Sequence, residues 1–131
     1  MDIKLELVIL PVSDVDKARD FYVQAGFKLD FDHTVSEEIR FVQLPPPGSA
    51  CSIAFGKGLT TMEPGSVKGL QAVVEDAAAI LEDLLGRGLE VSEVADLEWG
   101  SFVYFSDPDG NSWALQQLPA RSNGAGEGSE G

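Results

Sequence analysis

The sequence predicts an α+β fold, two βαβββ modules whose mixed sheets surround a cleft, and three observations carry that expectation. The first is the stretch Ser101 to Gln116, which writes a strand, a tight turn and a second strand. Aromatic and small residues alternate from Phe102 to Phe105, as suits a pleated strand. Pro108-Asp109-Gly110-Asn111 is then a turn in which proline fixes φ and glycine is free to take φ > 0. The second observation is an internal repeat without gaps, in which Asp14 matches Asp76, Gly26-Phe27 matches Gly88-Leu89, Phe41-Val42 matches Val103-Tyr104 and Gly48 matches Gly110. A period this long means two similar modules, because solenoid units run about 20 to 50 residues. The third is size, since 131 residues at 44% hydrophobic content suit one domain with a sizeable core.

Each element follows in order. Leu5 to Val12 is apolar enough for a strand buried on both faces, and Ser13-Asp14 offers an N-cap to a helix that carries Val15, Ala18, Tyr22 and Ala25 toward the sheet. Gly26 ends that helix. Strands are expected at about Phe27 to His33, Glu38 to Leu44 and Ala50 to Phe55, the last two joined through Pro45-Pro46-Pro47-Gly48. In the second module Val67 to Val74 is strand, and Asp76 caps a helix with Ile80, Leu81, Leu84 and Leu85 inward. Gly86-Arg87-Gly88 stops this helix before strands at about Leu89 to Val94, Ser101 to Phe105 and Ser112 to Leu118. The modules thus span about 5–56 and 67–118 of a single domain, 1–118. From 119 to 131 a disordered tail is expected, because past Arg121 no apolar side chain larger than alanine remains to offset the entropy of ordering.

Charge and composition exclude several partners. Nine basic residues against 22 acidic ones give a formal charge of −13, and only Glu127 and Glu130 of those acids lie in the tail. Such a field repels phosphate backbones and anionic lipid and attracts cationic small molecules, so no nucleic-acid or membrane partner is expected. No apolar run approaches 18 residues and no secretory pattern opens the chain, which points to a cytoplasmic protein. Cys51 is the only cysteine and reads as a small buried thiol, without a neighbouring basic group to activate it.

Phe105-Ser106-Asp107-Pro108-Asp109-Gly110-Asn111, together with the repeat, resembles the last hairpin of the vicinal-oxygen-chelate superfamily, which includes glyoxalase I, extradiol dioxygenases and bleomycin-resistance proteins. The resemblance covers roughly Leu5 to Leu118 and implies that the modules frame a binding cleft. Enzymes of that superfamily hold a divalent metal with His, Glu or Gln from the first, fourth, fifth and eighth strands. The resemblance places those positions here at Leu7, Ser52, Gly69 and Ala114, which offer no imidazole or carboxylate, so no metal and no cofactor are expected. Gln71 and Gln116 share the cleft face with Gly69 and Ala114 by the two-residue period of a strand, and hydrogen bonding to a polar ligand is their expected use. His33, the lone histidine, ends a strand beside a polar loop and carries no sign of catalysis.

What remains for the cleft is apolar and aromatic. Leu7 and Ile9 come from the first strand, and Trp99, Phe102, Tyr104, Ala114 and Gln116 from the last hairpins, with Gln71 between. Phe102 and Tyr104 share one face of their strand and Val103 and Phe105 the other, and the sequence leaves open which pair lines the cleft. Trp113 and Phe105 read as core. Trp99 lies in a loop, beside Glu98 and a Gly100 hinge, as a lid or stacking platform. The function expected is that of a metal-free protein binding a small organic molecule, planar or cationic, with antibiotic sequestration as its named version. A glyoxalase-, lyase- or dioxygenase-type enzyme with an atypical site is the alternative, and a small interaction or regulatory module the second. A homodimer is expected to cover the edge strands and cleft rim.

Overall fold

The computed structural model describes residues 1–119, so all of the expected tail except Pro119 lies outside it. Eight strands and two helices follow the expected order: β1 (Leu7–Ile9), α1 (Val15–Gln24), β2 (Phe31–Thr34), β3 (Arg40–Leu44), β4 (Ser52–Lys57), β5 (Leu70–Val73), α2 (Ala77–Gly86), β6 (Ala95–Leu97), β7 (Gly100–Ser106) and β8 (Ser112–Gln117). They form two four-stranded mixed sheets of identical topology, β1-β4-β3-β2 and β5-β8-β7-β6. In each, the first strand pairs in parallel with the fourth and the remaining pairs are antiparallel.

Both helices start where the sequence places them. Asp14 and Asp76 sit in extended backbone, and each side chain accepts from the N–H three residues on, at 3.1 Å in both cases. Ala18, Tyr22 and Ala25 are buried under α1 and Leu84 under α2, whereas Leu85, expected inward, is 51% exposed. Leu85 directly follows the buried Leu84, and the turn of about 100° per residue carries it off the face that Ile80, Leu81 and Leu84 present to the core.

Strand bounds differ most at the edges. β1 has three partly buried residues rather than a run buried on both faces, and Leu5 before it is largely exposed. β2 starts at Phe31, because Phe27 instead donates its N–H to the Tyr22 carbonyl and packs under the helix end. The strand expected at Leu89 to Val94 lies later, at Ala95–Leu97. There the Ser92 N–H donates to the Tyr104 carbonyl, but the Tyr104 N–H donates back to the Ser92 hydroxyl instead of a carbonyl. That side chain interrupts the ladder, and regular pairing resumes only at Ala95.

Pairing also corrects the repeat. Val42 and Val103 are both fully buried on the helix side, so Val42 matches Val103 and not Tyr104. Ile9 lies opposite Ala54 just as Gln71 lies opposite Ala114, which makes Ala54, not Ser52, the counterpart of Ala114. The second module is thus one residue shorter before its third strand and one shorter again in the following turn. A gapless comparison cannot register either loss.

The modules meet through their helix sides and share one core, in which Tyr22 and Phe27 of the first pack against Trp113 of the second. The turn at Asp107 locks them. Asp107 Oδ1 accepts the N–H groups of Asp109, Gly110 and Asn111 at 2.9–3.0 Å, while Oδ2 accepts the Tyr22 hydroxyl and Asn111 Nδ2, both at 2.9 Å. Asn111 also donates to the Pro11 carbonyl at 2.9 Å and accepts from the Val67 N–H, and Asp109 accepts from Ser13. Trp113 Nε1 donates to the Tyr22 oxygen at 3.0 Å, and burial, with the Asp107 charge behind it, pushes the Tyr22 phenol well above its ordinary value. Every polar group here is partnered, as burial requires.

Candidate functional site

Alternation along the strands sends one set of side chains into the core and the other to the sheet face turned away from the helices. In β7, Val103 and Phe105 are core, so Phe102 and Tyr104 take the open face; in β8, Trp113 and Leu115 are core, so Ala114 and Gln116 take it. The choice left open between the two β7 pairs is thereby settled.

Across the second sheet these residues form two rows. Gln71, Ala114 and Tyr104 lie side by side, and Val73, Gln116 and Phe102 lie in the next row. Phe102 and Tyr104 are stacked, with ring centroids 5.9 Å apart and planes within 5° of parallel. Phe102 is buried and Tyr104 is 39% exposed, so the outer ring of the stack meets solvent. Ala114, between Gln71 and Tyr104, leaves a low floor. An open recess of about 600 Å³ at the end of the sheet borders Gly69, Tyr104, Ser112 and Ala114 together with Glu90 and Asp107.

The two glutamines are joined. Gln71 Nε2 donates to Gln116 Oε1 at 2.6 Å, and Gln116 Nε2 donates to the Trp99 carbonyl at 2.7 Å. Trp99 occupies the second position of the two-residue turn between β6 and β7, with its indole 58% exposed. Gly100 after it is no free hinge. Its φ is +137°, and a Cβ there would come 2.3 Å from the Gln117 carbonyl oxygen, so glycine serves close backbone approach. Trp99 therefore projects from a pinned turn at the start of β7, with Phe102 between it and Tyr104 along the strand.

Leu7 and Ile9 lie on the open face of the first sheet, beside Ser52 and Ala54. Among the described residues no strand of that sheet approaches a strand of the second within 8 Å between Cα atoms. One chain thus unites Gln71, Trp99, Phe102, Tyr104, Ala114 and Gln116 but leaves Leu7 and Ile9 apart. His33 stands on that first open face, its ring 5.7 Å from that of Phe31 and tilted 42° to it, and Cys51, expected to be buried, is only partly so. Cys51 falls in the turn just ahead of β4, outside the strand that would bury it. The sequence reading missed Val73, 64% exposed, and Leu97, 44% exposed. Val73 was available from the two-residue period starting at Gln71; Leu97 was not, because β6 was placed too early.

The donor set does not fit the metal of the superfamily's enzymes. In the observed register the open-face positions of β1, β4, β5 and β8 are Leu7 and Ile9; Ser52, Ala54 and Gly56; Gln71 and Val73; and Ser112, Ala114 and Gln116. Neither row supplies an imidazole or a carboxylate. Among the described residues no three His, Cys, Asp or Glu side chains cluster as ligands.

Known proteins agree with this architecture. A solved structure of TnmS3, an antibiotic binding protein from Streptomyces sp. CB03234, is 38% identical, with a TM-score of 0.80, covering 91% of this chain and 99% of that one. A superfamily member from Sphaerobacter thermophilus DSM 20745 is 30% identical, with a TM-score of 0.75, covering 88% of this chain and 97% of that one. YetH of Bacillus subtilis (strain 168), itself uncharacterized, is 30% identical over 115 residues, covering 84% of this chain and 94% of its own. The family model of the Glyoxalase/Bleomycin resistance protein/Dioxygenase superfamily matches residues 4–115, and with two like modules in the order that family builds, the chain belongs to it.

Proposed function

We propose that this protein binds a flat, aromatic or cationic small molecule on the open face of its second sheet, without a metal, and that it acts by holding the molecule rather than transforming it. The observation that carries this reading is the Phe102–Tyr104 stack, whose solvent-facing ring stands beside an alanine floor. An exposed aromatic face costs free energy unless something covers it, and a planar ligand covers the outer ring of this stack. The charge of −13 supports a cationic ligand, through steering and through cation–π attraction worth about 0.5 to 2 kcal/mol. Similarity to an antibiotic binding protein supports sequestration of a toxic compound as the biological use. Among the described residues no helix is long and apolar enough to cross a membrane.

A homodimer belongs to the same proposal. Phe31 and Val73, 48% and 64% exposed, lie on open faces of different sheets, and a second copy laid across them covers both. Titration with proflavine, a flat tricyclic cation, followed by dye fluorescence and light scattering, tests both parts. Saturable binding to a species near twice 14.0 kDa is expected. Absence of binding rejects the ligand reading, and a monomeric mass at micromolar concentration rejects the dimer.

A further inference from the structure

We infer that the site selects ligands bearing a hydrogen-bond donor, and that Gln71 is the residue that reads it; the inference rests on the small-molecule reading above. The argument starts from the Trp99 carbonyl, which can only accept. Gln116 lies 2.7 Å from that oxygen, so it must present its NH2 group there. Its own oxygen then faces Gln71 at 2.6 Å, and Gln71 must in turn present NH2. A glutamine is free to turn end for end only when its surroundings accept either orientation. Here one backbone carbonyl fixes two amides in succession.

The consequence is a directional site. Gln71 uses its nitrogen inside the chain, and its Oε1 makes no hydrogen bond among the described residues. Gln71 is exposed, whereas Gln116 is 8% exposed, so the chain runs from a fixed inner end to an open outer end. The open end is an acceptor, on the same row as the Ala114 floor and the Tyr104 ring. With strands about 4.8 Å apart, Gln71 and Tyr104 bracket a width of roughly 10 Å, that of a small fused ring system. A flat ligand stacked at Tyr104 thus meets the Gln71 oxygen at its edge. An N–H or O–H there is satisfied, while an edge carbonyl or ether faces a like lone pair.

Proflavine and acridine orange distinguish these cases. Both are flat tricyclic cations, but acridine orange carries dimethylamino groups in place of the two exocyclic amines and so lacks those N–H donors. On stacking and apolar area alone the methylated dye binds at least as tightly. The expected result is the reverse, with proflavine about 3- to 10-fold tighter, the effect of one hydrogen bond. Gln71→Leu, at an exposed position, is expected to fold normally and to bring that ratio down to about 1 or below. Equal binding of the two dyes to the unaltered protein, or a preference that survives Gln71→Leu, overturns the inference and leaves the small-molecule reading standing. Failure of both dyes to bind overturns that reading and the inference with it.

Discussion

The turn between β7 and β8 and the turn between β3 and β4 occupy the same place in their modules, yet they are held in different ways. The first reaches across the molecule, bonding to Pro11, Ser13, Tyr22 and Val67 through Asp107, Asp109 and Asn111. The second, Pro45 to Cys51, bonds among the described residues only within itself and to the adjoining Ser52, with the Ser49 N–H donating to the Pro46 carbonyl, the Ser49 hydroxyl to that of Cys51 and the Cys51 thiol to that of Ser52. The difference teaches that the residues by which the family is recognised hold the modules together rather than meet a ligand. They lie on the helix side, whereas the aromatic and amide residues of the candidate site lie on the open face.

The largest expected effect comes from breaking the first turn. Asp107→Ala removes the carboxylate from three backbone N–H groups, the Tyr22 hydroxyl and the Asn111 side-chain amide, in a place 5% exposed at Asp107 itself, and only the Gly110 N–H and that Asn111 amide keep a backbone carbonyl as a second acceptor. Loss of about 3 kcal/mol or more is expected in urea denaturation. Pro47→Ala, in the exposed equivalent turn, is expected to cost less than about 1 kcal/mol, mainly through freedom gained by the unfolded chain. Similar losses for the two variants would break the comparison.

Tyr22→Phe sharpens it. The ring keeps its packing against Phe55 and Trp113, while Asp107 Oδ2 and Trp113 Nε1 each lose one partner. A loss of about 1 to 2 kcal/mol is expected by the same denaturation, because Asn111 still serves Oδ2. A neutral outcome would make the lock a matter of backbone N–H groups alone.

The same comparison explains what was legible in the sequence. Helix caps at Asp14 and Asp76 and the turn at Pro108-Asp109-Gly110-Asn111 depend on local chemistry, and local chemistry is written in neighbouring residues. The long-range role of Asp107 was not legible, since its partner Tyr22 lies 85 residues away. β6 was misplaced because Ser92 supplies a side-chain acceptor that no hydrophobic pattern records. For the site, period-two alternation brought Gln71, Ala114 and Gln116 to one face, but the orientation of the amides depends on a turn carbonyl at Trp99. Which β7 face stays open depends on where the helices pack, and only the assembled core decides that.

A smaller effect, on binding and not on stability, is expected on the open face. Trp99→Ala keeps the backbone carbonyl that Gln116 bonds and removes only the exposed indole. Proflavine affinity is expected to fall about 2- to 30-fold, the loss of one stacking or cation–π contact, with the urea midpoint nearly unchanged. Titration and denaturation of one sample decide the matter. An unchanged affinity would remove Trp99 from the site, and a large fall in the midpoint would make the indole structural.

The smallest effect concerns the outer edges of the two sheets, which differ as the turns do. β6 is pinned through the Ser92 and Tyr104 bonds and through Asp96, which accepts from Ser101, whereas β2 is held by charge. Arg40 forks onto Asp32 at 2.9 and 3.0 Å and reaches Asp16 at 2.9 Å, and Arg19 adds a bond to Asp32 at 3.2 Å. Those guanidinium bonds, Arg40 first, hold the Asp32 carboxyl below its ordinary value against a smaller opposing effect of burial. A carboxyl more acidic folded than unfolded stabilises the fold above its unfolded value of about 3.9, and that contribution is lost as pH falls through the lower folded value. The Asp32 side chain is 23% exposed and its strand lies open to water, so solvent keeps the gain small. Asp32→Asn is expected to cost less than about 1 kcal/mol at pH 7, and the gap from the unaltered protein should close as pH drops from about 4 toward 2. Denaturation curves at pH 7, 5 and 3 measure this, and a gap that stays constant would assign the cost to packing rather than to charge.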